Sequence, residues 1–172
     1  LTFYQDGARA PHRHLGWDAP RWISPAAYEA SNRMLGPGPA LGYLKPVFKR
    51  ALGARYDETL RIGEDSDLIL RLLMGGARMR VYPTLGYFYR KHAGSISHRL
   101  NAETLDALIA VYAKHDSGAD AALGLALAEQ RAALKDARAF VDLAGALKAK
   151  NAGAAISAAL KRPGATPLLR DA

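Results

Sequence analysis

The sequence contains no cysteine and no long apolar run. Without cysteine, this 172-residue chain has no disulfide framework and no Cys-ligated metal site. A membrane-spanning helix needs about 20 consecutive apolar residues, and no such stretch occurs. His12 and His14 stand close together near the start, but no third metal ligand lies nearby. We therefore interpret them as exposed loop residues rather than metal ligands.

Positive charge is concentrated in the first half of the chain. The net charge is +8, with fourteen Lys and Arg against eight Asp and Glu in residues 1–98, and ten against eight in the remainder. A basic first half suits an anionic partner, such as a nucleotide-sugar diphosphate, an anionic membrane surface or a nucleic acid. A generally basic surface would give the same excess, so charge alone does not choose among these partners.

One predicted helix opens with an acidic cluster. Its apolar stripe recurs at helical spacing at Leu68, Ile69, Leu72 and Leu73. Asp65 lies one turn before this stripe on the same face, where the helix dipole favours an ionised carboxylate by roughly 0.3–1 kcal/mol. Such a carboxylate suits a general base, but acids in a first helical turn are also common caps, and both interpretations remain open. Asp67 and Arg71 have the spacing of an ordinary ion pair within a helix.

A cluster of aromatic, basic and small residues follows this helix. Beyond strand candidates at 78–83 and 86–90, the sequence reads Tyr89-Arg90-Lys91-His92-Ala93-Gly94-Ser95-Ile96-Ser97. Together with the segment from Gly63 to Leu72, this element resembles the C-terminal half of a GT-A-fold, family 2 glycosyltransferase of the bacterial exopolysaccharide and succinoglycan type. The match covers roughly residues 40–98. The two motifs are more specific in this order and separation than either is alone.

The resemblance implies roles for four of these residues. In that family the acidic pair supplies the catalytic base of an inverting transfer, so this role falls on Asp65, with Glu64 beside it in the acceptor site. Arg90 and His92 are implied to face the donor diphosphate and its divalent metal, Mg or Mn, with His92 as a metal ligand. A structural histidine is the alternative for His92.

Candidate acceptor contacts precede the acidic pair. A Gly-rich turn and an apolar stretch occupy this place in the family, and here the stretch covers residues 41–46. We predict that Gly42 and Tyr43 contact the acceptor, because a flexible turn can approach a sugar and a tyrosine ring can stack on it. A plain loop with Tyr43 in the core is the alternative.

The resemblance also implies the fold and the domain organisation. It implies an α/β fold: residues 1–98 form the acceptor-side part of a GT-A (nucleotide-diphospho-sugar transferase) domain, and residues 99–172 form an α-helical C-terminal region. No donor-binding unit and no DxD-like motif suited to a metal is found ahead of Tyr56. We therefore expect a fragment of a longer enzyme, with most metal ligands outside this chain. The expected partners are a nucleotide-sugar donor and a saccharide or lipid-linked acceptor, with peripheral membrane association at the cytoplasmic face and no nucleic acid.

Local signals predict the remaining elements. In the first half they are a strand at Leu1–Tyr4, a loop at 8–20, a helix capped by Ser24 and running from Pro25 to about Met34, and a short helix at 46–52. In the second half they are a helix capped by Asn101 and ending near His115, a helix from about Ala119, a third over about 130–150, a fourth over about 154–161, and a frayed tail from Ala165. We expect these helices to pack on the first half, because large exposed apolar faces are rare.

Two other function classes fit parts of the sequence. A non-enzymatic basic helical module that binds an acidic partner or nucleic acid would explain the charge, although no recognised nucleic-acid motif appears. A hydrolase that uses Glu64 and Asp65 as its acid and base is disfavoured, because adjacent acids in one helical turn point to different sides.

Overall fold

A computed structural model gives the architecture of the chain. It describes residues 2–5, 8–11, 16–37, 40–41, 46–84, 88–90 and 101–170. The described strands are β1 (Thr2–Gln5), β2 (Ala8–Pro11), β3 (Arg21–Ile23), β4 (Met79–Val81) and β5 (Phe88–Arg90). The described α-helices are α1 (Pro25–Ser31), α2 (Glu64–Met74), α3 (Ala102–Ala113), α4 (Ala121–Lys148) and α5 (Ala152–Lys161). Two 3₁₀ helices span Arg50–Leu52 and Pro163–Arg170.

The strands form two small sheets. In the first, β1 is central, antiparallel to β2 and parallel to β5, with Thr2 opposite Phe88. In the second, β3 and β4 are antiparallel, with Trp22 opposite Arg80. The prediction of a loop over 8–20 is wrong at β2, and no strand was predicted at β3. Both strands depend on cross-strand partners, which a local sequence signal does not contain.

Side-chain caps fix where the helices begin. Ser24 Oγ accepts a hydrogen bond from the Ala27 N–H at 3.1 Å, and Pro25 takes the first helical position, as predicted. Asn101 Oδ1 accepts from the Thr104 N–H at 2.8 Å, which confirms the second predicted cap. Each such cap is worth about 1 kcal/mol relative to alanine.

Helix α4 is one continuous helix of 28 residues. The prediction of two helices, one from about Ala119 and one over 130–150, is therefore wrong. The segment contains no proline, and its two glycines, at 124 and 145, each cost a helix only about 1 kcal/mol relative to alanine. The helix packs against α1, α3 and α5 and continues through both glycines.

Two further predictions for short segments are wrong. The helix expected over 46–52 reduces to one 3₁₀ turn at Arg50–Leu52, which Gly53 ends at φ +62°. A helix this short is marginal without packing, because nucleation is costly. The tail expected to fray from Ala165 forms a 3₁₀ helix on α4. It is anchored by Arg162, whose guanidinium donates to Asp136 Oδ1 at 2.8 Å and to the Ala132 carbonyl at 3.0 Å.

One hydrophobic core joins the two halves of the chain. It draws on α1, α2 and β4 from the first half and on α3 and α4 from the second. Its most buried side chains include Tyr28, Leu70, Leu105, Leu127 and Leu134. The C-terminal helices thus pack on the first half, and α3 lies beside the start of α2, where the acidic pair is located. No helix in the described part of the chain is long and apolar enough to cross a membrane.

Candidate active site at the first turn of helix α2

Helix α2 begins at a glycine in the left-handed region. Gly63 has φ +76°, and its carbonyl accepts the first helical hydrogen bond from the Asp67 N–H at 2.9 Å. A Cβ at this position would lie 3.0 Å from Leu108 Cδ2 of α3. Two features therefore require glycine at this position: the positive φ and the close approach of α3.

The acidic pair follows directly. Glu64 and Asp65 are both half-buried, and Asp65 Oδ1 accepts a hydrogen bond from the Ser66 N–H at 2.8 Å. Asp65 therefore satisfies one first-turn N–H, as a helix-terminal acid does, while its carboxylate stays partly accessible. Within the described residues, no cation forms an ion pair with either acid. Such a carboxylate can accept a proton from a bound hydroxyl.

Asp67 is the buried member of the acidic cluster. Its Oδ2 lies 2.8 Å from Arg71 Nε, which confirms the predicted pair within the helix. Its Oδ1 lies 3.3 Å from Nε2 of His115, which is equally buried and follows α3. Arg71 also donates to the Arg55 carbonyl at 2.9 Å. Asp67 thus lies between His115 of the helical region and Arg71, which in turn contacts the preceding loop.

The segment that carries His115 is itself held by α4. Arg131 donates from Nε to the Tyr112 carbonyl at 3.0 Å and from its guanidinium to the His115 carbonyl. Burial lowers the pKa of His115, and nearby Arg71 and Arg131 lower it further, although Asp67 opposes them. His115 is therefore neutral at pH 7, and its buried Nε2 makes no hydrogen bond among the described residues.

Two buried phenols lie near the acidic pair. Burial raises the pKa of Tyr28 in α1 and of Tyr112 in α3, and the negative charges of Asp65 and Glu29 raise both further. The Tyr28 hydroxyl is buried without a hydrogen-bond partner among the described residues. Two neutral phenols therefore lie near Asp65, which is half-buried, as is Glu64.

Glu29 is a buried acid that the sequence analysis missed. It is 1% exposed, and neither carboxylate oxygen has a hydrogen-bond partner among the described residues. Burial raises its pKa to about 7, although Arg131 opposes the shift. Its neighbours in sequence are Tyr28 and Ala30, a pattern that also fits an exposed glutamate, so no local signal marks it. Buried acids with raised pKa values occur both at functional sites and in structural networks.

The remaining predicted site residues are not brought together by the described structure. Gly42, Tyr43 and His92 lie outside the described residues, as do His12 and His14. Arg90 ends β5, but its side chain is not among those described. The acceptor, diphosphate and metal roles therefore stay predictions. Within the described ranges, no group of three or more His, Asp or Glu could hold a metal ion.

Two known proteins are similar in sequence to this chain. The succinoglycan biosynthesis protein ExoO of Rhizobium meliloti (strain 1021) is 36% identical over 158 residues, covering 84% of this chain and 43% of ExoO. The succinoglycan biosynthesis protein ExoU of the same organism is 46% identical over 65 residues, covering 34% of this chain and 19% of ExoU. No protein-family model and no solved structure matches the chain.

These similarities confirm the coarser part of the motif-based resemblance. The chain is related to proteins of succinoglycan biosynthesis, as its motifs indicated. It spans less than half the length of each of these relatives. The GT-A fold, the family 2 assignment and the position of the chain within a longer enzyme stay predictions.

Proposed function

We propose that this chain is the acceptor-side part of an inverting, family 2-like glycosyltransferase with a GT-A fold that acts in exopolysaccharide synthesis. The observation that carries the proposal is the half-buried Asp65 at the positive end of α2, next to an Asp67 that is buried and ion-paired. The similarity to ExoO and ExoU supports the assignment to exopolysaccharide synthesis and favours a glycosyltransferase.

In the proposed reaction, Asp65 is the general base. Its carboxylate takes the proton from an acceptor hydroxyl as that oxygen attacks the anomeric carbon of the donor sugar. The bond from the anomeric carbon to the nucleoside diphosphate breaks, and its electron pair leaves with the diphosphate. Direct displacement inverts the anomeric centre. Glu64 and the segment with Gly42 and Tyr43 would contact the acceptor, and Arg90 and His92 would face the diphosphate.

The donor-binding half is proposed to lie in another part of a longer protein. The described residues do not fit a metal site, so no step is assigned to a metal here. We propose that a divalent metal, Mg or Mn, is held mainly by that other half. We also propose that the enzyme works at the cytoplasmic face of the membrane, on a saccharide or lipid-linked saccharide acceptor.

Asp65→Asn in the full-length protein tests the proposal. Removing a general base typically costs 10²–10⁴-fold in rate, so we expect a loss of about that size in nucleoside diphosphate release and in polysaccharide made by a complemented deletion strain. Glu58→Gln, at an exposed acid before the helix, should leave both readouts unchanged. Circular dichroism and the melting temperature should match between the two variants. Near-normal turnover by Asp65→Asn would exclude Asp65 as the base.

A further inference from the structure

The outer face of the β3–β4 sheet consists of arginine and aromatic side chains. Trp22 of β3 lies opposite Arg80 of β4, and Arg78 and Tyr82 flank Arg80 on the same face of the strand. The guanidinium of Arg78 lies 4.1 Å from the centre of the Trp22 ring, and that of Arg80 lies 5.5 Å from Trp22 and 5.3 Å from Tyr82. We call these four residues the Arg–Trp face.

The Arg–Trp face is exposed, whereas the opposite face of the sheet is buried. Trp22 is 55% exposed, Tyr82 is 57% exposed, and both arginines are exposed. On the other side of the sheet, Val81 is buried in the core, and Ile23 and Met79 pack against it. The core thus holds the sheet in place and fixes the outward direction of the four side chains.

The two arginines have no acidic partner in the described structure. None of the ion pairs among the described residues includes Arg78 or Arg80. Residues 21–24 and 78–82 contain no Asp or Glu. The guanidinium groups instead stack on ring faces, an arrangement that orients them and leaves their N–H donors available to an anion.

We propose that the Arg–Trp face docks on an anionic membrane surface. Guanidinium groups bind phosphate through paired N–H donors, and membranes with anionic lipids attract basic residues near their surface. Trp and Tyr rings are favoured at the headgroup level, where one part of the ring is apolar and the other is hydrated. The face therefore combines the two side-chain types that a lipid headgroup layer binds.

A membrane suits this face better than a nucleic acid does. The sheet has only two strands of three residues each, and it presents its rings and charges side by side within one small area. Nucleic-acid surfaces place basic residues along a longer path to follow the phosphate backbone. The relevant ligand is therefore an array of lipid phosphates with an interfacial layer that accepts indole and phenol rings.

The inference deepens the proposed function by naming the surface through which the enzyme would meet a membrane-bound acceptor. The biological role of the Arg–Trp face rests on the proposed function, but the test of membrane docking does not. Asp65→Asn should bind vesicles as the wild type does, because Asp65 is not part of the Arg–Trp face. A loss of transfer and a loss of vesicle binding are thus separable results.

The test is vesicle binding by the full-length protein. We expect sedimentation with phosphatidylcholine vesicles that contain phosphatidylglycerol, weaker binding as salt rises, and little binding to pure phosphatidylcholine. The double variant Arg78→Gln/Arg80→Gln should reduce the partition coefficient about 25-fold, from the usual contribution of a basic residue near an anionic surface. The matched control Lys148→Gln/Lys161→Gln removes the same charge at the exposed ends of α4 and α5, and it should change binding less than about threefold.

Trp22 reports directly on docking. In a variant whose other tryptophans are all replaced by phenylalanine, Trp22 should show blue-shifted emission and reduced quenching by acrylamide when anionic vesicles are added. Equal losses from the two double variants, or an unchanged Trp22 signal in the bound state, would overturn the proposal. Tighter binding to duplex DNA or RNA than to anionic vesicles would assign the face to nucleic acid instead.

Discussion

Asp67 in α2 and His115, just beyond α3, are in contact behind the acidic pair, with 3.3 Å between Asp67 Oδ1 and His115 Nε2. Both side chains are about 95% buried, and each belongs to a different half of the sequence. Asp67 shares the first turns of α2 with Asp65. The contact therefore ties the orientation of the proposed base to the C-terminal helices.

Asp67→Ala should destabilise the protein by about 2–3 kcal/mol. Breaking a buried ion pair usually costs 3–5 kcal/mol, and the partial exposure of Arg71 lowers the expected value. Chemical denaturation of the two proteins measures the difference. Glu58→Ala, at an exposed acid nearby in sequence, should stay within about 0.5 kcal/mol of the wild type.

A double-mutant cycle isolates the contact itself. Asp67→Ala and His115→Ala should be non-additive by about 1 kcal/mol, because the residues touch and share buried surroundings. Additive effects would show that Asp67 is held by Arg71 alone and that His115 contributes only packing.

Glu29→Gln should stabilise the protein above neutral pH. Burial raises the pKa of Glu29 from 4.5 to about 7, so the folded state holds a proton that the unfolded state releases. The stability that comes from this proton is fully present below about pH 4.5 and is lost as the pH rises through about 7. A glutamine cannot ionise, so the variant should gain up to roughly 3 kcal/mol at pH 8 and nearly nothing at pH 4.5.

Denaturation curves across pH 4.5–8 measure this gain. Glu129→Gln is the matched control, because Glu129 neighbours α1 but is largely exposed and paired with Arg33 at 2.8 Å. Its stability change should vary little with pH. A pH-independent effect of Glu29→Gln would mean that Glu29 is charged and solvated in the folded protein.

Local chemistry accounts for the elements that the sequence predicts well. Ser24 with Pro25, and Asn101, act within one turn of the chain, and the structure places them as expected. Helix α4 and strand β2 depend instead on partners that are distant along the chain or across a sheet. No residue near position 130 indicates whether the helix continues, because continuation is decided by packing against α1 and α3.

The candidate site divides in the same way. The spacing of Asp67 and Arg71 within a helix predicts their pair, and the structure confirms it. The contact with His115 and the burial of Glu29 arise only when α1, α3 and α4 come together. The neighbouring sequence does not predict the burial of either residue, since a histidine after a helix and a glutamate within one are ordinarily exposed.

Gly63→Ala should destabilise the protein more than Gly76→Ala does. Both glycines have a positive φ, +76° and +88°, so alanine is strained at each by about 1–2 kcal/mol. Only at Gly63 would the new Cβ meet a neighbour, Leu108 Cδ2 at 3.0 Å, which adds roughly 1 kcal/mol or more from overpacking. Thermal denaturation of the two variants compares these costs.

Leu108→Ala tests whether the contact with Leu108 causes the stability difference between the two glycine variants. Leu108→Ala should cost less in the Gly63→Ala background than in the wild type, because it removes the close contact. Equal costs for the two glycine variants would mean that α3 shifts freely away from the start of α2.

Leu134→Ala should weaken the whole chain rather than its C-terminal helices alone. Leu134 is fully buried in the core that joins α4 to α1 and α2, so the substitution should cost about 2–5 kcal/mol. Trp17 packs against this core from the first half, so tryptophan fluorescence reports on that half, whereas far-ultraviolet circular dichroism reports largely on the long helix α4. With one core, both signals should show the same transition and shift together.

Leu125→Ala, at a position 63% exposed on the same helix, should move neither signal appreciably. Two separate transitions, with only the helical signal shifted by Leu134→Ala, would mean that the C-terminal helices fold independently and do not hold the acidic pair in place.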